Sequence, residues 1–454
     1  MRTSDAVGRV GGLAFAIGVG IAIAAGCGAA SADSTGSSPH STGGGDTAAS
    51  HTSVSAPTAR TARRTGSLRV VKPAAMNPVV KPGKTSSPTH APALLSLAGA
   101  RRDAEQTAAA SAPKPVTFRG EPSYTQEVFA AALWLSRPIL KAVGLSLGKI
   151  TDNVPIFSDG TPYWFATIGV TRTKTDYNGM TVWTLTPRNP SGETIVAVHG
   201  GGFVSQINLF QWATFTQMAR DTGATVVVPL YPLGNATDPL AGADAAHVIP
   251  QMAEFIDSVI TNSGGPGHVS VIGDSAGGNI ALAAAEYVVR RNNDEHHVDD
   301  LALPGRIVLF SPALDLTYTD PTFQIVWDPW LALSTSKEHG KIWAGHLPLD
   351  SPLVSPVFGS LDGLPPITVF GGSIDLHAVT YLTFQDQVLA HNADPANASD
   401  QWDVTFELRR DLMHDWFIFP FLPDAVAIRP DVYKGLGLTV RHRTGDGVAH
   451  PAGA

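Results

Sequence analysis

A single cysteine, Cys27, stands in a chain of 454 residues. A lone thiol excludes an intramolecular disulfide and any metal site built on several thiolates. The 15 histidines are scattered, and none falls in a His-Glu-x-x-His or comparable ligand spacing. No metal and no other cofactor is therefore expected. Charge is sparse, at 15% of residues, and unevenly placed. Residues 1–114 carry 12 Lys/Arg against 5 Asp/Glu, and the remainder carries 19 against 34. The acidic part would repel a phosphate backbone, so nucleic acid is not expected as a partner. The basic part is dilute and reads as a soluble linker rather than a binding patch.

Aromatic residues are almost missing from residues 33–120, which are rich in Ser, Thr, Ala, Pro and Gly. Such a segment buries too little apolar surface to offset its chain entropy, so a disordered linker is expected there. Ahead of it, Arg2 and Arg9 precede an apolar stretch over residues 11–30. Ala30-Ser31-Ala32 then supplies a small-x-small exit, and residues 1–32 read as a signal peptide cleaved after Ala32. Two rivals stand beside this. Gly26-Cys27 resembles a lipoprotein processing site, although Ala24 occupies the place of the preferred large aliphatic residue. The stretch also approaches the length of a membrane span. Export to the medium or the cell envelope is expected, with an N-terminal membrane anchor as the alternative. Residues 441–454 read as a disordered tail.

Between linker and tail, residues 121–440 alternate strand and helix patterns. Strands are expected at 163–171, 180–186, 194–198, 224–230, 268–272, 306–310, 367–370 and 403–408. Helices are expected near 206–222, 250–262, 276–291 and 378–391. Nearly all-apolar strands such as Thr225-Val226-Val227-Val228 indicate a mostly parallel sheet with helices on both faces, an α/β fold. Asn178-Gly179 predicts a hairpin turn and hence an antiparallel start. Ser123 and Gln126 fit a capping box, with Val128, Ala131, Ala132 and Leu135 on one face of the helix that follows, and Pro138 ending or kinking it.

Two glycine motifs carry the chemistry. Val269-Ser270-Val271-Ile272 runs into Gly273-Asp274-Ser275-Ala276-Gly277-Gly278, a strand, a sharp turn with serine at its tip, and a small-residue helix. A serine on such an elbow is pushed out to where a base reaches it. Upstream, Ile195-Val196-Ala197-Val198 runs into His199-Gly200-Gly201-Gly202. Three glycines after a strand turn backbone N–H groups toward one point, an oxyanion hole. Gly201, Gly202 and Ala276 are the candidate donors.

These motifs, in this order, resemble the hormone-sensitive-lipase-like family of α/β-hydrolase esterases, over roughly residues 155–425. The resemblance implies an α/β-hydrolase fold with a helical cap, from elements near 121–150 and 315–355. It implies a nucleophile followed by an acid and then a histidine, each on a loop after a strand. Ser275 is then the nucleophile. Asp375, in Gly371-Gly372-Ser373-Ile374-Asp375 after a strand, matches the family's Gly-x-x-Asp. Asp315 follows too early a strand, and Asp362 precedes one. His414, beyond the last strand, is the expected base. His377 lies too near Asp375 in sequence, His391 ends a helical stretch, and His442 and His450 fall in the tail. Asp415 shares the loop of the base and is not expected to orient it. The family gives His199 a supporting hydrogen bond within the glycine loop.

After the fourth strand, Tyr231-Pro232-Leu233-Gly234-Asn235 departs from the family's Tyr-Arg-Leu-Ala-Pro-Glu, which puts local packing and substrate preference in question. Trp327, Trp330 and Trp343 line an acyl pocket or form the cap's own core. The function implied is an exported serine hydrolase cleaving small-molecule or lipid carboxylic esters through an acyl-enzyme on Ser275. Two alternatives remain, an acyltransferase using the same acyl-enzyme and a non-catalytic ligand receptor on the same fold.

Overall fold

The computed structural model describes residues 115–142, 159–234, 243–296 and 298–441. The expected signal peptide, nearly all of the expected linker, His442, His450 and the rest of the tail lie outside them. One eight-stranded sheet organises the described residues, in the order β1-β2-β4-β3-β5-β6-β7-β8. Its strands are β1 Val170–Tyr177, β2 Met180–Pro187, β3 Thr194–Val198, β4 Thr225–Leu230, β5 Val269–Asp274, β6 Arg306–Phe310, β7 Ile367–Gly372 and β8 Val404–Arg409.

β1, β2 and β4 pair antiparallel, and every pair from β4 through β8 is parallel. The antiparallel start follows from Asn178-Gly179. Both residues adopt positive φ, 49° and 84°, which a two-residue turn with the strands' own twist requires. β1 lies further along the chain than expected. Residues 163–169 form turns instead, with Trp164 and Ile168 exposed. Their apolar content suggested a strand, but Gly169 at φ 91° breaks the extended run before Val170.

Helices cover both faces: α1 Tyr124–Ala142, α2 Leu209–Thr222, α3 Ala245–Asn262, α4 Ala276–Asn292, α5 Leu333–Ala344, α6 Ala378–Ala393 and α7 Pro423–Gly435. α7 was not legible as a helix, since Pro423 and Pro430 punctuate it. Pro423 sits in the first turn, where a missing N–H costs nothing. Two cores result. One lies between the sheet and α3, α4 and α6, and the other lies under α2 and α7.

α1 sharpens the sequence reading at one point and corrects it at another. Of the two outcomes expected at Pro138, the proline does not end the helix, which continues to Ala142. The apolar face read from the sequence, Val128, Ala131, Ala132 and Leu135, is exposed. Ala130 is buried instead, with Phe129 and Leu133 packed beside it, against Phe419, Leu422 and Ala425. The helix is apolar on two faces, so periodicity alone did not select the one that docks. The capping box is half formed: Ser123 Oγ accepts the Gln126 N–H at 3.2 Å, but the Ser123 N–H goes to Asp424 of α7 at 3.0 Å. The first described residues also join the sheet edge, where Arg119 bridges Arg409 in parallel.

Candidate active site

Every residue of β5 is buried, and the chain turns from it into α4 through Ser275 at φ 53° and ψ −117°. A non-glycine residue in that region costs about 1–3 kcal/mol, so surrounding bonds must hold it. They do: the Ser275 N–H donates to the Phe310 carbonyl at 2.9 Å, and the Ser275 carbonyl accepts from Ala313 N–H at 3.1 Å. Gly277 shows why small residues follow. A Cβ there would lie 1.9 Å from the Val198 carbonyl oxygen, so the helix start presses directly on the end of β3.

The glycine loop after β3 is tied to the same elbow. Asp274 Oδ2 accepts the Gly200 N–H at 3.0 Å and the Gln211 side-chain amide at 2.6 Å. Gln211 is itself fixed by the capping box that starts α2, in which its Oε1 accepts the Asn208 N–H at 2.8 Å. Gly201 and Gly202 take φ of 131° and 60°, and a Cβ on Gly201 would meet the Ser205 carbonyl oxygen at 2.3 Å. Above Gly202 lies His339 of α5, whose Nδ1 stands 2.5 Å from where a Cβ would be. His199 is fully buried; burial lowers its pKa to about 4, so the ring is neutral, and its Nδ1 lies 2.6 Å from the Gly200 carbonyl oxygen. The Tyr231 ring stacks on it at 4.4 Å, while the Tyr231 hydroxyl donates to the His199 carbonyl at 2.9 Å. Tyr231 therefore retains a packing role although the motif around it has changed.

The loops after β7 and β8 bring Asp375 and His414 to Ser275. His414 Nε2 lies 2.8 Å from Ser275 Oγ, and its Nδ1 lies 3.0 Å from Asp375 Oδ1. Asp375 Oδ1 also accepts the His377 N–H at 2.9 Å, and its Oδ2 accepts the Tyr381 hydroxyl at 2.6 Å. Burial alone would raise the Asp375 pKa, but His414, His377 and the Tyr381 hydroxyl together hold it below the ordinary carboxylate value.

Asp415 sits where the sequence reading did not place it. Its backbone takes φ 51°, its N–H donates to Ser311 Oγ at 3.1 Å, and its Oδ2 lies 3.2 Å from His414 Nε2. Burial pulls the His414 pKa down, but Asp415 and Asp375 push it well above the ordinary histidine value. The two neighbours of Nε2 ask for opposite states. The serine hydroxyl needs an unprotonated acceptor, and the carboxylate favours the imidazolium.

Asp375, His377 and His414 bring ligand-type atoms within 4.8 Å of one another. Both Asp375 oxygens are committed to donors, so the cluster fits proton transfer better than a cation. The exposed group Asp362, His391 and Asp400 is also spent, because His391 Nε2 lies 2.8 Å from the Asp400 carbonyl oxygen and Nδ1 lies 3.1 Å from the Asn397 amide.

Trp343 is fully buried and stacks on Phe203 at 4.5 Å, so it belongs to the core rather than to a pocket wall. Trp327 packs on Trp134 of α1 with ring centroids 4.9 Å apart and the rings tilted by 59°, and Trp330 packs on Phe419 at 5.4 Å.

Residues 195–414 match the family described as the alpha/beta hydrolase fold. A triacylglycerol lipase of Mycobacterium tuberculosis is 36% identical over 336 residues, covering 71% of this chain and 67% of that protein. The chain belongs to the α/β-hydrolase family. It is a carboxylic ester hydrolase within it. An esterase of Acinetobacter venetianus is 28% identical over 192 residues, 40% of this chain and 57% of that protein. A hormone-sensitive lipase from a metagenome library shares the fold at a TM-score of 0.53 and 20% identity, covering 68% of this chain and 97% of its own.

The family reading selected Ser275, Asp375 and His414, and the structure brings them into one hydrogen-bonded line. It did not select Asp274, Gln211, Tyr381 or Asp415. Asp274 was visible inside Gly-Asp-Ser and Asp415 beside His414; Gln211 and Tyr381 reach the site from positions that no local pattern marks.

Proposed function

We propose that the protein is an exported serine hydrolase that cleaves lipid carboxylic esters through an acyl-enzyme on Ser275. The observation that carries this reading is the continuous line Ser275 Oγ, His414 Nε2, His414 Nδ1, Asp375 Oδ1, with spacings of 2.8 Å and 3.0 Å. A serine hydroxyl is a poor nucleophile at neutral pH and needs a base in this position. Ser275 Oγ attacks the ester carbonyl as His414 Nε2 takes its proton. Asp375 keeps the other ring proton on Nδ1 and offsets the imidazolium charge. The N–H groups of Gly201, Gly202 and Ala276 receive the negative charge that develops on the carbonyl oxygen. The imidazolium returns its proton to the leaving alcohol, and water then repeats the sequence on the acyl-enzyme.

Lipid esters are favoured as substrate by the relationship to a triacylglycerol lipase. Export rests on the N-terminal sequence: Arg2 and Arg9, the apolar residues 11–30 and Ala30-Ser31-Ala32. Among the described residues, no helix is long and apolar enough to cross a membrane. The test is hydrolysis of p-nitrophenyl esters of increasing acyl length, with an organophosphonate that traps the nucleophile. Covalent label on Ser275 with parallel loss of hydrolysis is the expected result. Label on any other residue overturns the assignment.

A further inference from the structure

The cap segment between β6 and β7 sends one buried carboxylate into the machinery just described. Asp328 is 2% exposed, yet among the described residues its carboxylate is bonded to backbone N–H groups and to no cationic side chain. All its acceptor capacity goes to backbone. Oδ1 accepts the N–H groups of Trp330 and Leu331, at 2.7 Å and 3.0 Å. Oδ2 accepts the N–H of Leu376, the residue after Asp375, at 2.8 Å. Behind it, Arg137 of α1 donates to the Asp328 carbonyl oxygen at 2.6 Å, beside the tilted Trp134–Trp327 pair.

Burying a carboxylate is costly unless each oxygen is satisfied. A turn that needed only capping of Trp330 and Leu331 would be served by one oxygen, at the surface. Here the second oxygen is spent on the acid's own loop. On the sheet side that loop is held by the N–H groups of Ser373 and Ile374, which donate to the Arg409 and Leu412 carbonyls at 3.0 Å and 3.2 Å. The bond to Leu376 adds a tether one residue from Asp375, and it comes from the segment between β6 and β7 rather than from the sheet.

We propose that Asp328 is a positioning residue that clamps the cap segment to the loop of the catalytic acid and so fixes Asp375 against His414. This rests on the triad reading of Ser275, His414 and Asp375. The clamp also adds a negative charge near the pair. Burial and the Asp375 charge raise the Asp328 pKa to about 7, and His414 opposes that rise. The charged or titratable groups around His414 are then Asp375, Asp415, Asp274, Asp328 and His377.

Asp328→Asn keeps the shape but places an amide donor against backbone donors, so the Leu376 bond or the Trp330–Leu331 pair is lost. In the full-length chain, kcat should fall about 10- to 100-fold with KM nearly unchanged, the usual scale for a misplaced catalytic group. The acid limb of kcat/KM should move to lower pH, because a carboxylate that favours the imidazolium has gone. The decisive readout is the cycle with Asp375→Asn. Once the acid is disabled, its position no longer matters, so Asp328→Asn should then cost less than about threefold. Equal losses in both backgrounds, or an unmoved acid limb, overturn the clamp. If Asp328→Asn does not fold, Arg137→Ala enters the same cycle. A loss that shrinks in the Asp375→Asn background supports the clamp there, and a loss of equal size overturns it. An Asp375→Asn enzyme with full turnover would instead overturn the triad itself, and the clamp with it.

Discussion

The two sides of the site are built by different means. The nucleophile side is backbone. β3, the glycine loop, the elbow and the start of α4 are pressed together at distances that tolerate no side chain at Gly277 and none at Gly201. The acid–base side is side chains. Asp375 is held by Tyr381 from α6 and by His414, and its loop by Asp328 from the cap, while Asp415 flanks the ring from beyond it. A backbone-built oxyanion hole offers fixed dipoles that need no reorganisation when charge appears. A side-chain-built base must change charge during the reaction, and buried carboxylates on both flanks of the ring ease that change. The difference teaches where each half is vulnerable. The first fails through sterics, and the second fails through charge.

The largest effects should come from the atoms that join the halves. Ser275→Ala and His414→Ala should each lower kcat by about 10⁶, in steady-state hydrolysis of a p-nitrophenyl ester. Asp375→Asn should cost about 10⁴, since the ring then favours the wrong tautomer while Ser275 and the oxyanion donors stay in place. A loss in Asp375→Asn as large as that in His414→Ala would show that holding the tautomer and offsetting the imidazolium charge do not exhaust its role.

Gly202→Val probes the backbone half alone. The side chain would strain a φ of 60° and collide with His339, displacing an oxyanion donor. The expected loss is about 2.7–4 kcal/mol of transition-state stabilisation, with the pH profile of kcat/KM unmoved. A shifted acid limb in that variant would dissolve the distinction between the halves.

Asp415→Asn probes charge alone and should have the smallest effect on plateau turnover. His414 must be neutral to act as base, so the rate rises with pH through its pKa, which lies above the ordinary value of 6.5. Removing the Asp415 charge lowers that pKa, so the acid limb should move to lower pH while the plateau changes by less than about tenfold. A limb that stays in place would mean that Asp415 carries no charge in the free enzyme.

The same contrast governs what could be read from the chain. The sheet and the nucleophile half were legible because their determinants are local: apolar runs, Asn178-Gly179, and glycines within a few residues of Ser275 and His199. Asp375 and His414 were found through their order after strands, which the family supplies. Asp415 was set aside as an orienter because it shares the loop of the base, and a contact with Nε2 was not considered. A left-handed backbone at φ 51° folds its carboxylate back onto the ring. Asp328 and Tyr381 lay beyond reach, since a bond across 48 residues from Asp328 to Leu376 leaves no periodic trace. For α1, two apolar faces competed, and the one read from the sequence is not the one that docks.

The central claim is that Ser275 and His414 act as one unit, and the most direct measurement is kcat of Ser275→Ala, His414→Ala and the double variant on one ester. The account predicts that the double variant loses little more than either single variant, because the second substitution removes a partner whose function has already gone. A double loss equal to the product of the two single losses would contradict it.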